Sequence, residues 1–177
     1  MNAIPANVFA DSPLTDVIST FQTTVAQVPE LLRPVIVAAA GAVPFVEGEL
    51  ASIIGVIGGL HPVVAAVAAA TGNFLCVLVV VLLTSRARGA IINRAGRPVE
   101  EKPLSKGRQR LQRWFARFGV PGASVLGPLA IPTQFTAATL VAAGAPKGTI
   151  LLWQAIAIVL WTTVTTLSIL GALAVLT

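Results

Sequence analysis

The sequence predicts an all-α integral membrane protein. It has two repeats, each a broken or re-entrant helical hairpin followed by a long transmembrane helix, and an amphipathic helix precedes them. Three observations carry this prediction. Of the 177 residues, 55% are hydrophobic and 11% charged, whereas an ordinary soluble domain is about 25% charged. The apolar residues form continuous stretches, the longest unbroken ones able to cross about 30 Å of hydrocarbon, and not the short alternating segments of a membrane barrel. Two of those stretches are interrupted by proline and glycine, and each is followed by one that is not. The chain divides into an N-terminal helix (1–34), a first membrane repeat (35–84), a basic segment (85–118) and a second membrane repeat (119–177).

In the first division, Ser12-Pro13 reads as a cap with proline at the first helical position. Leu14, Val17, Ile18, Phe21, Val25, Val28, Leu31 and Leu32 then recur at helical spacing, with Asp16, Ser19, Thr20, Thr23, Gln27 and Glu30 opposite. The spacing predicts an amphipathic helix of about five turns. It either lies in the membrane interface or docks on another subunit. Its polar face carries no lysine or arginine, so anionic lipid does not attract it. Pro34 closes it. There is no basic leader and no lipidation motif, so no signal peptide is expected.

The first repeat begins with a broken apolar segment, residues 35–60, and turns at His61-Pro62. Residues 63–84 are an uninterrupted span. Ala65, Ala66, Ala69 and Ala70 give it a small-residue face suited to close helix approach. Gly55 and Gly59 form a GxxxG pair in the preceding segment, a weak packing signal. Ten of the twelve basic residues fall between Arg86 and Arg117. Basic segments beside membrane spans mark the cytoplasmic side. The second half of this loop, with Leu111, Trp114, Phe115 and Phe118 on one side, predicts a basic amphipathic helix. Its Arg108, Arg110, Arg113 and Arg117 form a patch for lipid head groups. The second repeat mirrors the first: a broken segment over 120–145 with Pro128 and Pro132, a turn at Pro146-Lys147-Gly148, and a last span over 149–176.

The candidate site is a membrane-embedded polar group made of Glu47, Glu49, Asn73 and Gln134. A charge inside an apolar segment is costly unless it faces protein or water. Pro44 and Gly48 beside the glutamates, and Pro128 and Pro132 in the second half, are the expected helix breaks. Repeats with broken helices place transporter sites where the breaks meet. An offset of 85 residues sets Glu49 over Gln134, Gly59 over Gly144 and His61 over Pro146. An offset of 88 sets Val43-Pro44 over Ile131-Pro132. The two glutamates are two residues apart, so on a regular helix they point to nearly opposite sides. Around an unwound Gly48 they converge and share a proton. The alternative places them at a water interface or across a subunit boundary.

These residues carry a family resemblance. PFVEGELASIIG, HPVVAAVAAATGN and FGVPGASVLGPLAIPTQFTAATLVAAG resemble the small multidrug export protein family, which is in turn distantly similar to DedA-type (VTT-domain) membrane proteins. The resemblance covers residues 40–172. It sets Glu47 or Glu49 on the family's acidic position, Gly72-Asn73 on its Gly-Asn, and Pro128 and Pro132 on its second hairpin. Relatives commonly hold an arginine near the acid or in the second hairpin. Here EGELAS and IPTQFTAA contain none, which weakens coupling through an acid–arginine pair.

The expected function is transport of lipids or amphiphiles in the bacterial inner membrane, proton-linked through Glu47 or Glu49, by a carrier or its degenerate relative. The alternative is a non-catalytic accessory subunit of a larger transport complex, for example a lipid importer of the Mce type. Expected partners are membrane lipids and either further copies of the chain or other subunits, and no nucleic acid. No metal spacing, nucleotide loop or Ser/His/Asp set is present, so no cofactor and no enzymatic activity are expected. His61 reads as a turn residue, Cys76 as a small apolar one, and Trp153 and Trp161 as interface or packing anchors. If residues 43–60 and 121–145 re-enter, two segments cross and both termini lie outside. If all four segments cross, both termini are cytoplasmic. The first topology is preferred.

Overall fold

In the computed structural model, residues 27–95 and 119–176 are described. The N-terminal amphipathic helix up to residue 26, and Arg108, Arg110, Arg113 and Arg117 of the basic patch, lie outside the described residues. All the regular structure among the described residues is helical. A 3₁₀ turn, Glu30–Leu32, leads into α1 (Arg33–Gly41), followed by α2 (Glu47–Ile57) and α3 (Pro62–Ala95). Residues 119–126 are helical, and a 3₁₀ turn over Gly127–Leu129 follows. Next come α4 (Thr133–Ala142) and α5 (Lys147–Leu176). Two helices, over Pro62–Asn93 and Lys147–Val175, are long and apolar enough to cross a membrane.

The chain forms two compact units. The first is Met1–Gly72 with Trp161–Thr177, and the second is Asn73–Leu160. In the first unit, Pro34 sits in the opening turn of α1. It begins a helix there instead of closing one, because its fixed φ suits a first turn and its missing N–H has no partner to lose. α1 and α2 form a short hairpin and pack on each other. Val37, Ala51, Ala68 and Ala69 make the core, with Ala38, Ala40, Val46 and Leu60 around it. The hairpin meets the start of α3 backbone to backbone. A Cβ added at Gly41 would collide with the Ala69 carbonyl oxygen, and one at Gly72 with the Ala38 carbonyl oxygen. The small-residue face read from the sequence is therefore used, with Ala65 and Ala69 fully buried. Gly55 belongs to the same packing, 2.8 Å from the Ala65 Cβ by the position its own Cβ would take. Gly59 instead lies in an exposed turn, so the GxxxG pair is not one packing motif.

In the second unit α4 begins after Pro132, whose backbone is extended. Gly127 packs on Thr136, and Ala123, Ala137, Leu140, Val141, Ile150, Ala157 and Ile158 are buried. α3 does not end near Thr84, where the basic segment was expected to begin, but continues to Ala95. Residues 85–95 hold no proline and several good helix formers, and arginines near a helix C-terminus complement its dipole.

The same backbone pattern recurs 85 residues apart. α2 ends at Ile57 and α4 at Ala142, while α3 starts at Pro62 and α5 at Lys147. Gly59 (φ +82°) and Gly144 (φ +89°) take the left-handed conformation after their helices. Leu60 N–H donates to Gly55 O at 3.0 Å, and Ala145 N–H to Leu140 O at 3.1 Å. Gly59 N–H donates to Val56 O and Gly144 N–H to Val141 O, both at 3.0 Å. Each pair of bonds is a Schellman cap. Burial follows the same offset. On α3 it falls at Ala65, Ala69, Asn73, Val77 and Val81, and on α5 at Ile150, Gln154, Ile158, Thr162 and Thr166. Ala51, Ser52, Gly55 and Val56 of α2 are matched by Thr136, Ala137, Leu140 and Val141 of α4.

Two predictions follow from this backbone. Nothing stands within 4 Å of a Cβ added at Gly59, so Gly59→Ala carries only the left-handed backbone penalty, about 1–2 kcal/mol. Gly144→Ala should cost a similar amount, read as matched decreases in thermal unfolding midpoint. Gly72→Ala must push α1 away from α3 and should cost more, about 2–3 kcal/mol.

Candidate functional site

The break between α1 and α2 is held by two unusual residues. Phe45 (φ +69°) and Glu47 (φ +51°) are both left-handed without being glycine. Each such residue costs on the order of 1–2 kcal/mol, so the surrounding packing must fix this turn. Pro44 lies in the break, as expected. Gly48 does not. It is helical and buried, the second residue of α2, so the glutamates are not brought together by unwinding there. Its small size serves another purpose, since a Cβ at Gly48 would strike the Thr162 Oγ1.

Glu47 is 6% exposed. Glu49 is half-buried, and its Oε2 is fully buried with no hydrogen-bond partner. One turn on, Ser52 Oγ donates to the Glu49 backbone O at 2.9 Å and lies 3.5 Å from Thr165 Oγ1. Thr165 Oγ1 donates to the backbone O of Trp161 at 3.0 Å or of Thr162 at 3.1 Å. Thr166 Oγ1 donates to Thr162 O at 2.6 Å. Thr162 Oγ1 is buried without a partner. In the first unit, α2 therefore meets Thr162 and Thr165 of α5 through Gly48 and Ser52, and the acidic corner of Glu47 and Glu49 lies in the same first turns of α2.

The other two expected site residues lie in the second unit, and they meet. Asn73 Oδ1 accepts from Thr133 Oγ1 at 3.0 Å and from Gln134 Nε2 at 3.3 Å. Asn73 Nδ2, both amide atoms of Gln154 and the Ser124 Oγ are buried without partners. Asn73, Thr133, Gln154 and Ser124 are fully buried. This second group is rich in polar atoms but uncharged. Pro132 caps α4, and Pro128 sits in the 3₁₀ turn Gly127–Leu129, so both occupy the breaks assigned to them.

Ser52, Ser124, Thr133, Gln154, Thr162 and Thr165 were not singled out from the sequence. A signal for some of them existed: Gln154, Thr162 and Thr166 fall on the four-residue stripe begun by Ile150. For Ser52 and Ser124 no pattern marked them. His61 is an exposed turn residue whose Nδ1 accepts from the Val63 N–H at 3.3 Å. Cys76 is a free, half-buried thiol. Among the described residues no three His, Cys, Asp or Glu side chains converge as for a metal ion.

Asn73 and Gln154 of the second unit should respond oppositely to similar changes. Gln154→Leu removes two unpaired buried atoms at nearly constant volume and should leave stability unchanged or raise it by about 1 kcal/mol. Asn73→Leu deprives Thr133 and Gln134 of their common acceptor and should lower stability by about 2–3 kcal/mol. Thermal or denaturant unfolding of the purified variants in detergent checks both.

No family model, no curated protein and no solved structure matches this chain.

Proposed function

We propose that this chain is a small bacterial inner-membrane protein for the transport of lipids or amphiphiles, linked to protons through Glu49 with Glu47 beside it. The observation that carries this reading is the buried, unpartnered Glu49 Oε2 beside a buried Glu47, at a helix break in an apolar unit. A carboxylate so placed favours its neutral form or a bound cation, because the bare charge is expensive away from water. Cycling between the two states is what coupling requires.

Three further features support the reading. The 85-residue recurrence of caps, helix ends and buried positions fits a duplicated unit, the architecture that secondary carriers use repeatedly. α1, α2 and α4 hold 9, 11 and 10 residues, about 14–17 Å each, too short to cross alone, which suits re-entrant hairpins. Val63, Val67, Leu75, Val79 and Leu83 on α3 and Leu152, Ile156, Val159 and Leu167 on α5 are exposed. An apolar surface of this extent suits lipid. In this topology α3 and α5 cross, the basic segment faces the cytoplasm, and head groups of the inner leaflet meet Arg108, Arg110, Arg113 and Arg117. The resemblance of PFVEGELASIIG, HPVVAAVAAATGN and FGVPGASVLGPLAIPTQFTAATLVAAG to the small multidrug export family points the same way.

A second reading rests on the second polar group. Its side chains Asn73, Gln134 and Gln154 are neutral amides, and neither hairpin sequence supplies an arginine. A chain that has lost half of a coupling pair fits an accessory subunit of a larger transport complex, held by further copies or by other subunits. Mild-detergent purification of tagged protein from its own membrane separates the readings, since stoichiometric recovery of foreign subunits favours the second.

Reconstituted protein should take up an amphipathic dye in response to a pH gradient. Glu49→Gln should reduce that uptake at least about tenfold with the fold retained, and Glu47→Gln should reduce it less. Unchanged uptake in Glu49→Gln across a range of pH would rule out proton linkage at this residue.

A further inference from the structure

The hydroxyls of the acidic corner are arranged for more than a proton. Each hydroxyl has one hydrogen to give and two lone pairs to offer. Ser52 directs its hydrogen to the Glu49 backbone O at 2.9 Å, and Thr165 directs its own to a backbone carbonyl one turn earlier at 3.0–3.1 Å. The two oxygens stand 3.5 Å apart, where either hydroxyl can donate to the other or both can accept from a third group. Thr162, 1% exposed, points its unpartnered Oγ1 at the Cα of Gly48, and the buried Glu49 Oε2 likewise has no donor. Successive residues on a helix are turned by about 100°, so Ser52 lies between the bearings of Gly48 and Glu49. The Gly48–Ser52 side of α2 thus meets Thr162 and Thr165 of α5, and the unpartnered Glu49 oxygen belongs to the residue beside it.

A proton would neutralise one Glu49 oxygen and leave the Thr162 oxygen and the facing Ser52 and Thr165 lone pairs as they are. A small cation seated between Ser52, Thr162 and Thr165 would draw on those hydroxyl oxygens and call for one negative charge, which the unpartnered Glu49 oxygen can supply. Oxygen-only donors select hard cations. Calcium takes 6–8 oxygens, usually with several carboxylates; Glu47 is already engaged elsewhere, so one carboxylate, Glu49, and three neutral hydroxyls suit a single charge. We infer that Glu49, Ser52, Thr162 and Thr165 form a binding site for a sodium ion. Glu49 supplies the charge and the three hydroxyls replace water in the ion's shell. Gly48 is small because a side chain there would occupy the ion's approach to Thr162. The inference rests on the same corner as the transport reading and adds a sodium ion that competes with the proton for Glu49.

The test uses purified full-length protein in detergent, with thermal unfolding followed in sodium, potassium and choline chloride at equal ionic strength. Ligand binding to the folded state raises the midpoint in proportion to occupancy. Sodium should raise it by about 4 °C or more over choline at saturation, and potassium by clearly less. Glu49→Gln and Thr162→Val should each abolish the difference. Ser52→Ala, a milder change, should shift the sodium titration midpoint at least about tenfold, which keeps the test decisive if the other variants fold poorly. Equal midpoints in the three salts overturn the inference, as does a sodium effect that survives all three substitutions. The transport reading fails separately. If dye uptake depends on Glu49 but no salt is distinguished, the sodium site is rejected and proton linkage stands. If sodium stabilises the protein and no uptake is seen, the site stands and transport is rejected.

Discussion

The first unit depends on how closely two backbones can approach. Gly41 lies on the carbonyl of Ala69 and Gly72 on the carbonyl of Ala38, so no side chain separates α1 from the start of α3. Such a contact lets the helices interlock through close van der Waals packing. The buried set between them is accordingly small, with Val37, Ala51, Ala68 and Ala69 at its centre. That contact fixes the hairpin rigidly enough to hold Phe45 and Glu47 in left-handed conformations that neither would choose alone. The acidic corner is thus a consequence of glycine and alanine packing several residues away.

The two halves share a backbone plan but not a chemistry. At matched positions 85 residues apart, Ala69 is replaced by Gln154, Val77 by Thr162 and Glu49 by Gln134. The alanine stripe lets the first hairpin dock tightly. In the second half the same bearing carries an amide with both polar atoms unpaired. Conversely the threonines of α5 serve the first unit, where Thr162 and Thr165 stand against α2. Charge sits beside the first break, and the neutral amide of Gln134 beside the second.

Sequence alone determined the coarse architecture. Unbroken apolar runs after His61-Pro62 and Pro146-Lys147 specified two long helices, because only a helix satisfies its backbone within one segment in a lipid core. Pro44, Pro128 and Pro132 located the breaks, since proline removes a donor and excludes the helical conformation from its predecessor. The sequence grouped Glu47, Glu49, Asn73 and Gln134, and within that group Asn73 and Gln134 are hydrogen-bonded, as polar side chains in apolar surroundings seek each other. The end of α3 was not legible, for arginine and alanine suit a helix as well as a solvated segment, and it runs on to Ala95.

Tertiary structure decided the rest. Whether Gly48 unwinds or packs depends on what faces it, and Thr162, 114 positions later in the numbering, faces it. Ser52 and Thr165 are unremarkable residues in sequence, and their oxygens become a site only because two distant helices bring them to 3.5 Å. The left-handed caps at Gly59 and Gly144 and the buried stripes stand 85 residues apart, one of the two offsets the sequence offered. Local propensity and periodicity act over a few residues and are written in the chain. Which polar atoms are left without a partner is set by every neighbour at once, and only the folded packing fixes that.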